Sequence, residues 1–211
     1  LAGLVSGFIS SSATIHAMGR RTRTEPALMP GLVAGAVLSS VATIVQLAAI
    51  VAFLAPALLV PLARPLVFAG IAAILYAAWF TVHALQATDP TARGTGRAFD
   101  LLAALMFAGL VGAVLTIAAA LNAWLGDRGV LAATAIAGLA DAHSAAVAAA
   151  SMAADGKISP SLAVSAILCG LTSNAFVKAV LAITSGGAAY AKRILPGLIL
   201  MTAAAWAGAM L

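Results

Sequence analysis

The sequence predicts an all-α integral membrane protein of about seven hydrophobic helices, on three observations. Hydrophobic residues make up 64% of the 211 residues and charged residues only 8%. The mean hydropathy is +1.12, and the apolar runs are each roughly 20 to 25 residues long, enough to cross a bilayer. These runs are continuous and rich in Ala, Leu and Gly instead of alternating with polar residues, which favours helices over membrane strands.

The apolar segments fall into two groups of three, joined by a more polar region. The first group, residues 1–86, has helices at about 1–19, 31–54 and 66–86; its first helix ends at a basic run, and prolines 56, 61 and 65 break the chain between the other two. Residues 87–128 hold a polar loop and a connecting helix at about 99–125. The second group, residues 129–211, has helices at about 130–154, 160–184 and 194–211.

The two groups show a weak internal repeat of three-helix units. The stretch "SGFISSSA" (6–13) aligns with "AGLADAHS" (137–144), and "AVLSSVATIVQ" (36–46) resembles "AILCGLTSNAFVK" (166–178). In each half a polar helix, a charged turn, a second polar helix and a proline-bearing helix follow in that order. The first alignment pairs Gly7 with Gly138, Ser10 with Asp141, and Ser12 with His143.

Two membrane arrangements stay open. If all seven segments span and the loop at Arg20 is cytoplasmic, basic residues divide six inside to four outside. If segments 1–19 and 130–154 are instead re-entrant or broken, the division becomes seven to three and the repeats are inverted. The second arrangement agrees better with the enrichment of Lys and Arg on the cytoplasmic side and with the broken helices of transporters.

Two ionisable residues lie inside apolar segments and are the main candidates for function. Lys178 shares a helix face with Asn174, and its ammonium would cost about 3 kcal/mol in hydrocarbon without a partner or water. Asp141 shares a face with Ser144 and is the only carboxylate well inside such a segment, so we expect a contact between Asp141 and Lys178. That pair is either a structural salt bridge or part of a substrate or proton path.

The other candidate residues are small and polar. Hydroxyl groups in the first segment and beside Asn174 can bind an ion, or they can let helices pack closely. His143 would project about 200° from Asp141 on a regular helix, and only a break near Gly138 would bring the two together. The remaining candidates are Ser10, Ser11, Ser12, Thr14, Thr172 and Ser173.

Several functional classes find no support in the sequence. The net charge of +5 comes from short connections without interleaved aromatic residues, so nucleic acid is not an expected partner. We find no metal-binding or phosphate-binding motif and no nucleophile motif of an enzyme. Asp141, His143 and Ser144 are too close in sequence for a catalytic triad on one helix, so we expect no enzymatic activity and no cofactor.

The stretches "GLVSGFISSSATIHAMGRR", "GLADAHSAAVAAAS" and "AILCGLTSNAFVKAVLAITSGG" together carry a family resemblance. The chain resembles, over nearly its whole length, the membrane domain of unknown function (DUF4010) at the C-terminal end of bacterial MgtC/SapB family proteins. The resemblance implies a preceding N-terminal membrane region of the same longer protein and a location in the bacterial inner membrane. The family's motifs map to Ser11, Ser12, Thr14, Gly138, Asp141, Ser144, Asn174 and Lys178.

Two functions remain open. The first is a transporter- or channel-like module for a small ion or polar solute, with a polar site between the two repeats near the membrane midplane. The second is a non-transporting interaction or regulatory module whose buried polar residues are structural. One acid opposed by a lysine is a poor cage for Mg²⁺, which prefers several oxygen ligands. In either case we expect a lipid bilayer and a homodimer as partners.

Overall fold

The computed structural model describes residues 2–87 and 124–211, with residues 116 and 120 between them, as six helices and no strand. The all-α prediction is therefore confirmed. The predicted polar loop and most of the connecting helix at 99–125 lie outside the described residues. The described chain clusters into two compact units: residues 2–45, 67–87 and 177–204 form the first unit, and residues 46–66, 124–176 and 205–211 form the second.

Two short 3₁₀ turns, each beginning with a proline, separate the first three helices. Proline suits the first turn of a helix because the N–H it lacks would have no partner there. The helices are α1 at Ala2–Thr24, α2 at Met29–Leu54 and α3 at Leu59–Ala87, and the turns are Pro26–Leu28 and Pro56–Leu58.

The prediction that Pro61 and Pro65 break the chain was wrong, because α3 begins at Leu59 and includes both. Pro61 lies in the first turn, where no N–H donor is required. Pro65 lies in the interior, where membrane helices tolerate proline if neighbouring groups satisfy the freed carbonyl. Close packing surrounds this point, since a Cβ on Gly208 would lie 2.7 Å from the Arg64 carbonyl oxygen. Only Pro56 ends a helix here.

The last three helices are α4 at Asp127–Ala140, α5 at Ala142–Ala154 and α6 at Pro160–Met210. The segment predicted at 130–154 is thus two helices, with Asp141 between them. The gap predicted between 184 and 194 is absent, because α6 continues through this region with one non-helical residue, Gly187 at φ 71° and ψ −173°. Only glycine adopts this backbone region readily, so one residue replaces the expected loop.

Helix lengths indicate which elements cross a membrane. Among the described residues, three helical stretches are long and apolar enough to span: Pro26–Leu54, Pro56–His83 and Pro160–Met210. A straight helix of 51 residues would measure about 76 Å, more than twice the hydrocarbon thickness of about 30 Å. The bend at Gly187 divides it into two parts that are each long enough to cross. The chain is an integral membrane protein.

The first unit has an apolar core formed by α1, α2, α3 and α6. A fully buried tyrosine, Tyr190, lies within it and donates a hydrogen bond of 3.0 Å to the Ile15 carbonyl oxygen. That carbonyl lies on α1 and Tyr190 follows Gly187 by less than one turn, so the bond joins α1 to the second part of α6. The core consists of Ile15, Val33, Ala36, Val37, Ala77, Ala182, Tyr190, Ile194 and Leu198.

Basic residues collect at one end of the first unit. Arg23, at the end of α1, donates to the Thr184 carbonyl oxygen at 2.9 Å, a carbonyl close to the bend at Gly187. Gly19 packs directly on Ser185. Lys192 and Arg193 follow Gly187 within about 9 Å along the helix. The basic run of α1 and the basic pair of α6 therefore lie near the same end of this unit.

Large apolar side chains are exposed along the spanning helices, as a lipid-facing surface requires. Trp79 is 64% exposed and packs against His83 near the end of α3, with the ring centroids 4.6 Å apart and the rings tilted by 33°. The other large exposed apolar residues of this helix are Val60, Val67, Phe68, Ile71, Ile74, Leu75, Val82 and Leu85.

Candidate functional site

Asp141 forms a break between α4 and α5 and caps the second of these helices. Its backbone is extended, at φ −162° and ψ 133°. One carboxylate oxygen, Oδ2, accepts from the Ser144 backbone N–H at 3.0 Å and from the Ser144 hydroxyl at 3.3 Å. An aspartate at this position satisfies an N–H group that has no partner within the helix. The acid therefore has a local structural role at the break.

The break also brings His143 onto the same carboxylate. The His143 Nδ1 atom lies 2.8 Å from Asp141 Oδ1. A regular helix would keep these two side chains apart, and we expected them to meet only if the helix breaks. His143 Nε2, the other ring nitrogen, is buried and has no hydrogen-bond partner. The side chains of Asp141 and His143 are 24% and 13% exposed. The group is thus an acid–imidazole pair with one ring nitrogen unused.

Helices α4 and α5 fold back on each other at Asp141. A Cβ on Gly170 of α6 would lie 2.4 Å from Ala145 Cβ and 3.3 Å from the Thr134 carbonyl oxygen. Thr134 and Ala145 are eleven positions apart, which on a straight helix means about 16 Å. A Cβ added to Gly138 would lie 2.2 Å from the Gly170 carbonyl oxygen, so Gly138 contacts the backbone of Gly170 itself. Asp141 therefore lies at the tip of a helical hairpin packed closely on α6.

A second break, in the first unit, has similar local geometry. Ser10 interrupts α1 at φ −163° and ψ 111°, and its hydroxyl oxygen accepts from the Ala13 backbone N–H at 3.2 Å. A glycine three residues earlier, Gly7, packs on the backbone of Ser39, as Gly138 packs on Gly170. The sequence alignment pairs Ser10 with Asp141 and Gly7 with Gly138, and the internal repeat itself stays a prediction.

A buried chain of polar groups links the first break to Lys178. Lys178 has no exposed surface and donates from Nζ to the Thr43 hydroxyl oxygen at 3.1 Å. Thr43 Oγ1 lies 3.0 Å from Ser11 Oγ and 3.2 Å from the Ser39 carbonyl oxygen, as donor to each. A hydroxyl has one proton, so these last two bonds are alternatives. Ser11 directly follows the break at Ser10. The Lys178 ammonium is therefore connected to a residue beside this break through the Thr43 side chain.

The other predicted site residues lie at various depths. Thr14 is buried and donates to the Ser10 carbonyl oxygen at 2.9 Å, whereas Ser12 is half-buried. Asn174 is buried, on the face of α6 that Lys178 shares. Thr172 is exposed and accepts from Trp206 Nε1 at 3.0 Å, and Ser173 donates to the Cys169 carbonyl oxygen. Thr172 therefore lies on a different side of α6 from Asn174 and Lys178.

Sequence reasoning missed Thr43 as a site residue. Thr43 is fully buried and joins two predicted site residues of different helices, Ser11 and Lys178. A signal was present, since Ser39 and Thr43 are four positions apart on an apolar helix and therefore share one face. The missing information was which other helix that face contacts.

This geometry bears on two further sequence predictions. The predicted contact between Asp141 and Lys178 stays a prediction, because the two residues belong to different units. The hydrogen bonds of Asp141, His143 and Ser144 differ from those of a catalytic triad, in which the serine hydroxyl donates to the histidine. Here both side chains bond to the carboxylate. The described residues contain no cluster of three His, Cys, Asp or Glu side chains that could hold a metal ion.

The turn between α1 and α2 carries the clearest ion pair outside the spanning segments. Arg21 donates from Nε and NH2 to the two carboxylate oxygens of Glu25, at 3.1 and 3.0 Å. This hydrogen bonding lowers the pKa of Glu25 below its ordinary value and raises that of Arg21. The pair lies at the exit of α1, at the basic end of the first unit.

The fold and these polar breaks define the chain as a helical integral membrane protein with interrupted helices. Its family follows from comparison: the sequence model described as Domain of unknown function (DUF4010) matches residues 1–186. The chain belongs to the DUF4010 family. Comparison with the curated proteins gave no match, and comparison with the solved structures gave none either.

Proposed function

We propose that this domain is a transporter- or channel-like module that moves a small ion or polar solute across a membrane. The observation that carries the proposal is the buried chain from the Lys178 ammonium through Thr43 to Ser11, beside a helix break. An ammonium in the hydrocarbon region is costly, and such groups mark ion or substrate paths in many membrane proteins. Transporters place solute sites at interrupted helices.

The second break supports the same proposal. At Asp141 an acid, an imidazole and a hydroxyl meet at the tip of a hairpin, and the acid is 24% exposed. Non-helical backbone at membrane depth is tolerated where protein buries it or where it lines a cavity. Two breaks of similar geometry, at residues that the repeat aligns, are better explained by a shared functional arrangement than by independent packing accidents.

A non-transporting interaction or regulatory module is the second candidate, and one observation favours it. The Asp141 carboxylate is engaged by three donors within its own hairpin, so it has a sufficient structural role as a helix cap. Under this alternative the polar residues fix helix register and no solute binds. The two candidates differ in whether a ligand stabilises the folded protein.

Ligand-dependent thermal unfolding of the detergent-purified protein separates these functions. Chloride, nitrate, phosphate, acetate, sodium, potassium, magnesium and neutral amino acids would be tested on wild type, Lys178→Met and Asp141→Asn. A ligand that binds only the folded state at 100 times its Kd adds about 2.7 kcal/mol. We expect one solute class to stabilise wild type and neither variant. Lys192→Met is the matched control, because it removes an exposed lysine from the same helix.

Flux into proteoliposomes then tests movement itself. Wild type and Lys192→Met should transport the stabilising solute, whereas Lys178→Met should not. Absence of stabilisation and of flux in wild type, with Lys178→Met and Asp141→Asn merely less stable, would reject the transporter proposal in favour of the structural module.

Orientation and location are part of the proposal. The shared basic end of the first unit, with Arg23 on the Thr184 carbonyl oxygen, supports the arrangement in which α1 is re-entrant and the repeats are inverted. By the positive-inside rule this end faces the cytoplasm, in a bacterial inner membrane. Cysteines placed at Arg23 and Lys157 should react from opposite sides with an impermeant reagent; labelling of both from one side would contradict the inverted arrangement.

The proposed partners can be tested on the same preparations. A homodimer predicts twice the mass of one chain when light scattering is corrected for detergent. An N-terminal MgtC/SapB-type membrane region in the same longer protein predicts co-purification when the two parts are expressed separately. A monomeric mass would contradict the dimer.

A further inference from the structure

We infer that His143 Nε2 is a proton-binding site at the tip of the α4–α5 hairpin. The inference starts from hydrogen-bond direction. Asp141 Oδ2 accepts from the Ser144 backbone N–H, which can only donate, as expected for an ionised carboxylate. An ionised carboxylate accepts on both oxygens, so His143 Nδ1, 2.8 Å from Oδ1, carries the ring hydrogen. In the neutral ring the lone pair is then on Nε2.

The surroundings of Nε2 support its assignment as the proton-binding atom. Nε2 is buried and has no hydrogen-bond partner, although a buried polar atom without a partner costs about 1–3 kcal/mol. A proton arriving on Nε2 creates an imidazolium whose Nδ1 lies 2.8 Å from the Asp141 carboxylate. The Asp141 side chain, which contacts the ring, is 24% exposed. Imidazole is also the side chain whose ordinary pKa lies nearest neutrality.

In the described part of the second unit, the other charged groups are distant along the chain or lie on other elements. Asp127 and Arg128 are at the far end of α4 and Asp155 and Lys157 at the far end of α5, each about 18 Å or more from the tip along its helix. On α6, Cys169 adjoins Gly170, and the next charge, Lys178, belongs to the first unit. Among residues 46–66 the one charged side chain, Arg64, donates to the Leu211 carbonyl oxygen. Asp141 is therefore the group that contacts the ring.

Histidine-selective ¹⁵N NMR of the full chain in detergent tests the inference directly. The chain has three histidines, so single substitutions His16→Gln, His83→Gln and His143→Gln assign every ring signal. At neutral pH we expect the His143 ring to carry its hydrogen on Nδ1, with Nε2 bare, and acid to protonate Nε2. In Asp141→Ala, which removes the acceptor for Nδ1–H, we expect the ring to lose this fixed preference for a hydrogen on Nδ1.

Two results would overturn the inference. One is a hydrogen on Nε2 at neutral pH, and the other is a His143 signal that does not change between about pH 4 and pH 9. An unchanged preference for Nδ1 in Asp141→Ala, with the fold intact by circular dichroism, would remove Asp141 from the site. His16 and His83 act as internal references, because both are exposed and Asp141→Ala should leave their ring signals unchanged.

Coupling of this proton to transport rests on the proposed function, and the two can fail separately. In proteoliposomes an imposed pH gradient should drive solute movement in wild type and in His83→Gln, and should lose that effect in His143→Gln. If the NMR titration succeeds and no solute moves, the proposed function fails and the proton site remains. If flux occurs but His143 does not titrate, the proton site fails and the proposed function remains.

Discussion

The crossing of Gly138 over Gly170 provides the sharpest test of the hairpin. A Cβ at Gly138 would lie 2.2 Å from the Gly170 carbonyl oxygen and 2.7 Å from its Cα. Both atoms are backbone, so no side-chain rotation can relieve the overlap, and α4 must move away from α6 by more than 1 Å. Gly138→Ala is therefore expected to destabilise the protein by about 1–3 kcal/mol, the usual cost of overpacking a buried site.

A matched substitution separates this packing cost from helix propensity. Alanine is favoured over glycine by up to about 1 kcal/mol inside a helix, so a glycine with room for a Cβ should tolerate the change. Gly70 on α3 is such a position, because its Cβ would meet only Ile44 Cγ2 at 3.7 Å. Gly70→Ala is expected to be neutral or stabilising, while Gly138→Ala destabilises in spite of the same gain in propensity.

The assay is equilibrium unfolding in detergent, followed by circular dichroism or by tryptophan fluorescence. Both variants and wild type are compared at one protein and detergent concentration. Equal or greater stability of Gly138→Ala relative to Gly70→Ala would refute the argument, because it would mean that α4 does not meet α6 backbone to backbone and that the chain is not folded back at Asp141.

Four further predictions concern the breaks and the turns. Ser10→Ala and Asp141→Ala should each cost about 0.5–2 kcal/mol in unfolding free energy through loss of a helix cap, with Asp141→Asn keeping most of it; equal losses in Asn and Ala would contradict capping. Thr43→Val should cost about 1–3 kcal/mol by leaving buried groups without a hydroxyl partner, and Thr43→Ser should recover part of that in the same assay; Ser no better than Val would contradict the role of the hydroxyl. Gly187→Ala should cost about 1–3 kcal/mol because of its positive φ, and an unchanged melting temperature would show that α6 does not bend there. Since the pKa of Glu25 is lowered by Arg21, the stabilisation it contributes is present above the ordinary pKa of a free glutamate and disappears as pH falls through the lowered value; the melting-temperature difference between wild type and Glu25→Gln should therefore shrink in acid, and a difference that grows would contradict the ion pair.

The structure also shows where local sequence signals were sufficient. Helix positions followed from apolar runs, and α2 agrees with its prediction at 31–54 to within two residues at either end, because hydrophobicity and flanking prolines act locally. The same signals failed at Pro61 and Pro65, since whether a helix tolerates proline depends on what satisfies the freed carbonyl. They also failed after Gly187, where one glycine conformation replaced an expected loop.

For the candidate site too, some features depend on the sequence alone and others depend on the tertiary structure. The sequence by itself determined that the chain is helical and membrane-embedded, that Lys178 and Asp141 are unusual, and that Ser10 aligns with Asp141, because composition and order are properties of the chain. Tertiary structure alone decided that Lys178 bonds to Thr43, that Gly138 crosses Gly170, and that His143 reaches the Asp141 carboxylate. Those contacts depend on backbone breaks and helix crossings, in which the energy of packing between distant segments outweighs the local preference for a continuous helix.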